Sequence, residues 1–227
     1  MSELILQWHG HACFELSYAG HSLVIDPYYQ VPGYPKLALE AGQVFASHTQ
    51  HDDHGYFDAV TLVEQPGENP FSVETVDTFH DGEGGSLRGN NKMTIFSAGG
   101  VRVAHLGDLG HALSEEQLDS IRGADIALIP VGGFYTIDGV QAAAVAKACG
   151  ASIVVPMHFR RDGRGFDVIA EPEVFLNALD GGIETMEADD GMIRVKDRQA
   201  FLCVKGEERC IGLGDGRQHA VVLNFSE

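Results

Sequence analysis

The chain has 227 residues, 44% hydrophobic and 21% charged, a balance ordinary for a globular protein with a core of useful size. Its 33 acidic and 15 basic residues give a formal charge of −18, which argues against nucleic acid or an anionic membrane as the main partner. A small anionic substrate stays open, because bound metal ions reverse the local sign.

The N-terminal stretch "MSELILQWHGHACF" has neither a basic start nor a long apolar run, so no signal peptide is expected. Nowhere does the chain approach the roughly 18 consecutive apolar residues of a membrane span. Runs at 4–8, 13–18 and 22–27 alternate in part between Gly and Pro turns and read as strands. An apolar run at 43–47, an alternating one at 71–79 and a hairpin over 92–106 across Gly99-Gly100 follow. Ser114 with Gln117 forms a capping-box pattern for a helix to about Arg122, and 124–131 reads as a buried strand. Asp138 is placed to cap a helix that Gly150 closes, and a strand over 152–158 comes next. The stretch 171–182 reads as a third helix with Pro172 in its first turn, and 192–195, 200–204 and 220–225 are strand-like.

Strand and helix alternate between 101 and 157, which implies parallel pairing with crossovers, whereas the first half implies antiparallel sheet. Both halves fit one mixed α/β domain over 1–227, with two sheets and outer helices. Residues 190–227 are an atypical strand-rich tail, expected to extend a sheet edge or to pair with another subunit, which leaves a homo-oligomer open. Cys13, Cys149, Cys203 and Cys210 are scattered and read as reduced, mostly buried thiols of a cytosolic protein.

The segment "ASHTQHDDHGY" (46–56) carries three histidines and two aspartates just after the run 43–47. His80 and Asp81 follow 71–79, His105 and Asp108 close 101–106, and His158 closes 152–157. Four strand ends thus deliver metal-ligand residue types to loops, where sites of α/β sheets assemble. Imidazoles with a few carboxylates and no thiolates suit Zn²⁺, Mn²⁺ or Fe²⁺. Six or seven such groups exceed one tetrahedral ion and point to two, with Asp108 between them. Two ions activate water and clamp the attacking and leaving oxygens of a displacement, as in hydrolysis of an ester, lactone, amide or phosphodiester.

Taken together, "WHGHACFEL", "LVIDPYY", "SHTQHDDH", "TFHDGEGGSLRGNN", "HLGDLGH", "PVGGFYTID" and "PMHF" resemble the metallo-β-lactamase superfamily over about residues 3 to 185. Within it the chain is similar to the small hydrolases that include ascorbate-6-phosphate lactonase. The resemblance implies an αββα sandwich of two mixed sheets flanked by helices. It implies that His51 and His80 hold one divalent ion, that Asp53, His54 and His158 hold a second, and that Asp108 bridges them. Zinc is the first expectation, with manganese or iron as alternatives. The family motif, His-x-His-x-Asp-His, has Thr49 where its first histidine belongs. Burial fixes strand register while the loop beyond is freer, so an extra residue at Thr49-Gln50 leaves His48 able to reach the first ion. The alternative is that His48 points elsewhere and the first ion is held weakly.

The resemblance also places His11 near the metals, supporting a ligand or touching substrate. His105 reads as a core or supporting residue. Asp26, before Pro27, reads as a turn former, with support of the metal loop as the alternative. Arg88 in its Gly-rich loop is either solvated or an anion-binding group, and the same choice holds for Arg160 and Arg161. The Tyr135 hydroxyl is a candidate donor to a developing oxyanion. With Asp53 or Asp108 orienting the attacking water, the expected function is metal-dependent hydrolysis of a small substrate. Two alternatives are a phosphodiesterase on a nucleotide or phospholipid-like substrate and a non-catalytic metal-binding regulator with an impaired first site.

Overall fold

In the computed structural model, which describes residues 2–49, 54–179 and 181–225, the alternating apolar runs pair into two facing sheets. The first half supplies β1 (Leu4–Gly10), β2 (Cys13–Tyr18), β3 (His21–Ile25), β4 (Leu39–Ala41), β5 (Gln43–Phe45), β6 (Val60–Leu62) and β7 (Ser72–Phe79). Then come β8 (Asn90–Ala98), β9 (Val101–His105), α1 (Glu115–Ile121), β10 (Ile126–Pro130), α2 (Gly139–Cys149), β11 (Ile153–Met157) and α3 (Glu173–Ala178). The chain ends with β12 (Ile183–Ala188), β13 (Met192–Lys196), β14 (Gln199–Val204), β15 (Glu207–Gly212) and β16 (Gln218–Leu223).

The first sheet runs β15-β14-β13-β1-β2-β3-β5 and the second β12-β16-β11-β10-β9-β8-β7, while β4 and β6 form a small pair of their own. In β1, Leu4, Leu6 and Trp8 point into the core and the residues between them are half-buried, the alternation of a strand with one face covered. The two inner faces share one apolar cluster, and Phe45 meets Phe96 across the gap with ring centroids 5.3 Å apart. β10 and β11 are buried throughout and parallel, as expected for strands covered on both faces. The fold class is therefore the expected sandwich, with α2 packed on β10 and touching α1 and α3. The outer face of β2 and β3 is covered differently: Cys13 and Val24 pack under Tyr28, Val31, Ala41 and Val60, from the loop after β3 and the small β4–β6 pair.

Three local readings change. The third helix spans six residues, not 171–182, because the chain must turn to pair β12 with β16 over six residues. β4, β6, β12 and β15 are strands that alternation did not announce. The segment from 190 onward also does more than extend an edge: β13 to β15 continue the first sheet beside β1, but β16 lies inside the second, between β11 and β12. The four cysteines are free, but only Cys13 and Cys149 are buried; Cys203 is half-buried and Cys210 exposed. No helix among the described residues is long and apolar enough to cross a membrane.

Candidate metal centre

The carboxyl ends of six strands converge at one edge of the two sheets. His11 follows β1, Asp26 follows β3, and Ser47-His48 follow β5; from the second sheet, His80, Asp108 and His158 follow β7, β9 and β11. His11, Asp26 and His158 have φ of 52°, 52° and 53°. A left-handed backbone on a non-glycine residue costs roughly 1–3 kcal/mol and persists only where its surroundings enforce it. Here they do: the His11 carbonyl accepts from Trp8 Nε1 at 3.1 Å and from the His158 amide at 3.2 Å, and the Asp26 amide donates to the Phe45 carbonyl. Asp108 is reached through Gly107, at φ 55°, where a Cβ would stand 2.4 Å from Ser47 Cβ and from Asn91 Oδ1. Only glycine fits that bend.

Asp108 sits at the centre of the cluster. His80 Nε2 lies 2.8 Å from its Oδ2, His158 Nε2 3.3 Å from the same oxygen, and His54 Nε2 3.3 Å from Oδ1. The His48 ring is 4.6 Å from that of His54 and 4.7 Å from that of His80, so its side chain points into the cluster despite the altered motif. His11 lies deeper, its ring 4.0 Å from His158 and 5.3 Å from His54. All six residues are buried. Two trios, His11–His54–His158 and His48–His54–Asp108, bring one ligand atom from each member within 4.8 Å of the others. The expected ligands His51 and Asp53 lie outside the described residues.

The donor set fits a divalent cation. Five imidazoles surround one carboxylate, and both ring nitrogens of His11 lack a hydrogen-bond partner among the described residues. Buried polar atoms left so are costly and rare, and a cation held at one nitrogen of the His11 ring would satisfy that one.

Supporting groups fix which nitrogen faces inward. The Asp26 carboxylate accepts from Ser47 N at 2.6 Å, Ser47 Oγ at 2.8 Å and His54 Nδ1 at 3.1 Å. His54 therefore carries its proton on Nδ1 and turns the Nε2 lone pair to the site. Because the Ser47 hydroxyl donates to Asp26, it accepts from His48 Nδ1 at 3.0 Å, which orients His48 the same way. Asn91, buried, accepts from the Asp108 amide at 2.9 Å and donates to Thr78 Oγ1 and the Leu106 carbonyl. His105 is a core residue, as expected: Nε2 donates to the Ala12 carbonyl at 2.9 Å and Nδ1 accepts from the Gly107 amide. Sequence reasoning missed Asn91 and ranked Asp26 as a turn former. The available signal was an Asp that ends an apolar strand beside Pro27.

The charges follow from this packing. Burial pushes the Asp108 carboxyl up, but His158, His54 and His80 outweigh it and hold it well below the usual carboxylate range. Asp26 is likewise lowered, His54 and His105 outweighing its burial. Burial, with His158 and His54, keeps the His11 ring far below its ordinary value, and burial with His54 brings His48 down to about 4. Both are neutral imidazoles near pH 7, as metal ligands must be. His80 moves the other way, because Asp108 outweighs its burial.

Around the mouth, Asp81 accepts from the amides of Glu83, Gly85, Leu87 and Arg88 at 2.7–3.0 Å. Burial opposes these donors, yet they hold its carboxyl at about 2. The loop so formed sets the Arg88 guanidinium over the Tyr135 ring at 5.8 Å. Tyr135 stands 6.4 Å from His158 and 6.1 Å from Phe166, which in turn is 5.5 Å from His11. Arg160 is exposed and pairs with Glu171 at 3.6 Å, and Arg161 pairs with Glu187 at 2.8 Å.

The family described as the beta-lactamase superfamily domain matches residues 5–158, the span from β1 through the last histidine of the cluster. The chain belongs to the metallo-β-lactamase superfamily. Within the superfamily, a Thermoplasma acidophilum protein named as a UPF0173 metal-dependent hydrolase is 28% identical, with 82% of this chain and 94% of that one covered. A protein of the same name from Lawsonia intracellularis is 27% identical, with 76% and 89% covered. A solved Thermotoga maritima structure, assigned as a Zn-dependent hydrolase of the superfamily, has a TM-score of 0.67 at 27% identity. It covers 98% of this chain and 100% of its own, so the match includes most of the segment from 190 onward. A metallo hydrolase from Ignicoccus hospitalis shares the fold, with a TM-score of 0.55 at 22% identity over 78% of this chain and 91% of its own.

Proposed function

We propose that this chain is a metal-dependent hydrolase that holds two divalent ions, zinc first and manganese or iron as alternatives. Its proposed substrate is a small ester, lactone or phosphodiester. The observation that carries the reading is Asp108: one buried carboxylate with His80 and His158 against one oxygen and His54 against the other. A buried carboxylate with imidazoles against both of its oxygens would help to hold two ions. We assign His48, His51 and His80 with Asp108 to the first ion, and Asp53, His54 and His158 with Asp108 to the second. When bound, the ions supply an activated water and polarise the carbonyl or phosphoryl oxygen under attack.

The chain's own groups do the rest. Asp26 and Ser47 hold His54 and His48 in register. Asp53 and Asp108 are the candidates for orienting the attacking water. The Tyr135 hydroxyl is the candidate donor to the developing oxyanion, beside His158. Arg88, held over Tyr135, is the candidate to meet an anionic group at the mouth. Arg160 contacts only substrates that reach the rim, where Glu171 holds it.

Purified protein loaded with Zn²⁺ or Mn²⁺, given bis-p-nitrophenyl phosphate beside a lactone and ester panel, tests this. Turnover is expected on at least one class, EDTA is expected to abolish it, and Asp108→Asn is expected to remove both turnover and bound metal. Silence across the panel in protein that mass spectrometry shows to be metal-free would overturn the reading.

A further inference from the structure

We propose that His11 is a direct ligand of the second ion, completing a three-imidazole face with His54 and His158. The inference rests on the dinuclear reading above and adds a residue to it.

Other histidines of this chain show what a structural role looks like here. His105 satisfies both ring nitrogens, with the Ala12 carbonyl and the Gly107 amide. His111 does the same with the Phe79 amide and the Ala112 carbonyl. His11 is as buried as His105, yet neither of its nitrogens has a partner among the described residues. An imidazole left so loses water and gains nothing in return. One nitrogen lies within 4.8 Å of ligand atoms of both His54 and His158, the separation of donors on a shared ion.

The backbone keeps it there. The left-handed turn at His11 is pinned through its carbonyl by Trp8 Nε1 and by the amide of His158 itself. Two of the three imidazoles therefore come from residues joined by a backbone hydrogen bond, while Asp26 sets the third. Phe166 packs edge-on against the His11 ring at 5.5 Å and helps to enclose it. A fully buried ring offers no face to a substrate, but a bare cation reaches it.

Cadmium NMR of the loaded, uniformly labelled wild-type protein tests this without a variant: scalar coupling is expected between bound cadmium and the ring protons of His11, His54 and His158. In a titration of metal-free protein, His11→Gln is expected to weaken the second cadmium ion by more than about 100-fold. That exceeds the roughly 10–100-fold typical of a lost supporting contact. Coupling to His54 and His158 but not to His11, with both ions retained by His11→Gln, would overturn this assignment and leave the dinuclear site standing. Wild-type protein that takes up no cadmium would overturn both.

Discussion

Asp26 shows how much a single carboxylate arranges. It accepts from Ser47 twice and from His54 once, and through Ser47 it also sets His48. Asp26→Asn puts an amide where His54 Nδ1–H needs an acceptor on a charged group, so the ring loses its fixed tautomer. Zinc affinity, measured by competition with a chelator, is expected to fall roughly 10–100-fold with the fold retained; unchanged affinity would contradict the orienting role. His48, His54, His80, Asp108 and His158 were legible because each follows an apolar run at a strand end. Asn91 was not, since its work depends on Thr78 and the turn at Gly107, both far from it in contact order along the chain. His11 was legible as a pocket residue, but its depth beside His158 was not, because that depth comes from strands in different sheets.

Among the elements, those with local signals came through and those defined by partners did not. Both expected caps are formed, and the one at Asp138 is also a full capping box: Ser114 accepts from the Gln117 amide, and Asp138 from the Gln141 amide at 2.8 Å, with each Gln side chain returning to its cap. Gly150, at φ 68°, closes α2 as read. The Gly99-Gly100 turn joins β8 and β9 with Ala98 opposite Val101. The cap on α2 also ends the loop that carries Tyr135. Asp138→Ala is expected to cost about 1 kcal/mol, lowering the melting temperature by roughly 2–4 °C while the affinity for added zinc is unchanged. A shift of more than about 10 °C would mean that Asp138 holds more than its helix. The short strands β4 and β6 exist because each pairs with the other, which no window of sequence contains.

Across the whole molecule, the site places several neutral imidazoles in the core. Burial lowers His11, His48 and His105 from an ordinary value of 6.5, His48 to about 4, whereas Asp108 raises His80. An unfolded chain protonates its histidines near 6.5, while the three lowered ones stay neutral in the fold. Their contribution is complete above 6.5 and is lost as the pH falls toward their folded values. His80 acts oppositely, its stabilisation present below 6.5 and lost as the pH rises through its raised value. Asp26 and Asp108 are depressed and lose their contribution only below the ordinary carboxyl range, outside this window. Below pH 6.5 the His80 contribution is constant, so the three lowered groups predict that metal-free protein loses stability from pH 6.5 to about 4.5. Each unmatched proton contributes about 1.4 kcal/mol per pH unit. Urea unfolding of chelated protein at the two pH values checks this, and greater stability at the acid end would refute it.

The sequence by itself determined the two strand-rich halves, the parallel centre, the capped helices and the residue types that gather at the site. These are local facts: burial alternation, cap spacing and residue types at strand ends. Tertiary structure alone decided the rest. It put β16 inside the second sheet, made Asp26 a support for two imidazoles, and set His11 against His158. Each of these depends on which strand lies beside which, and that is settled by the packing of two sheets rather than by any stretch of the chain.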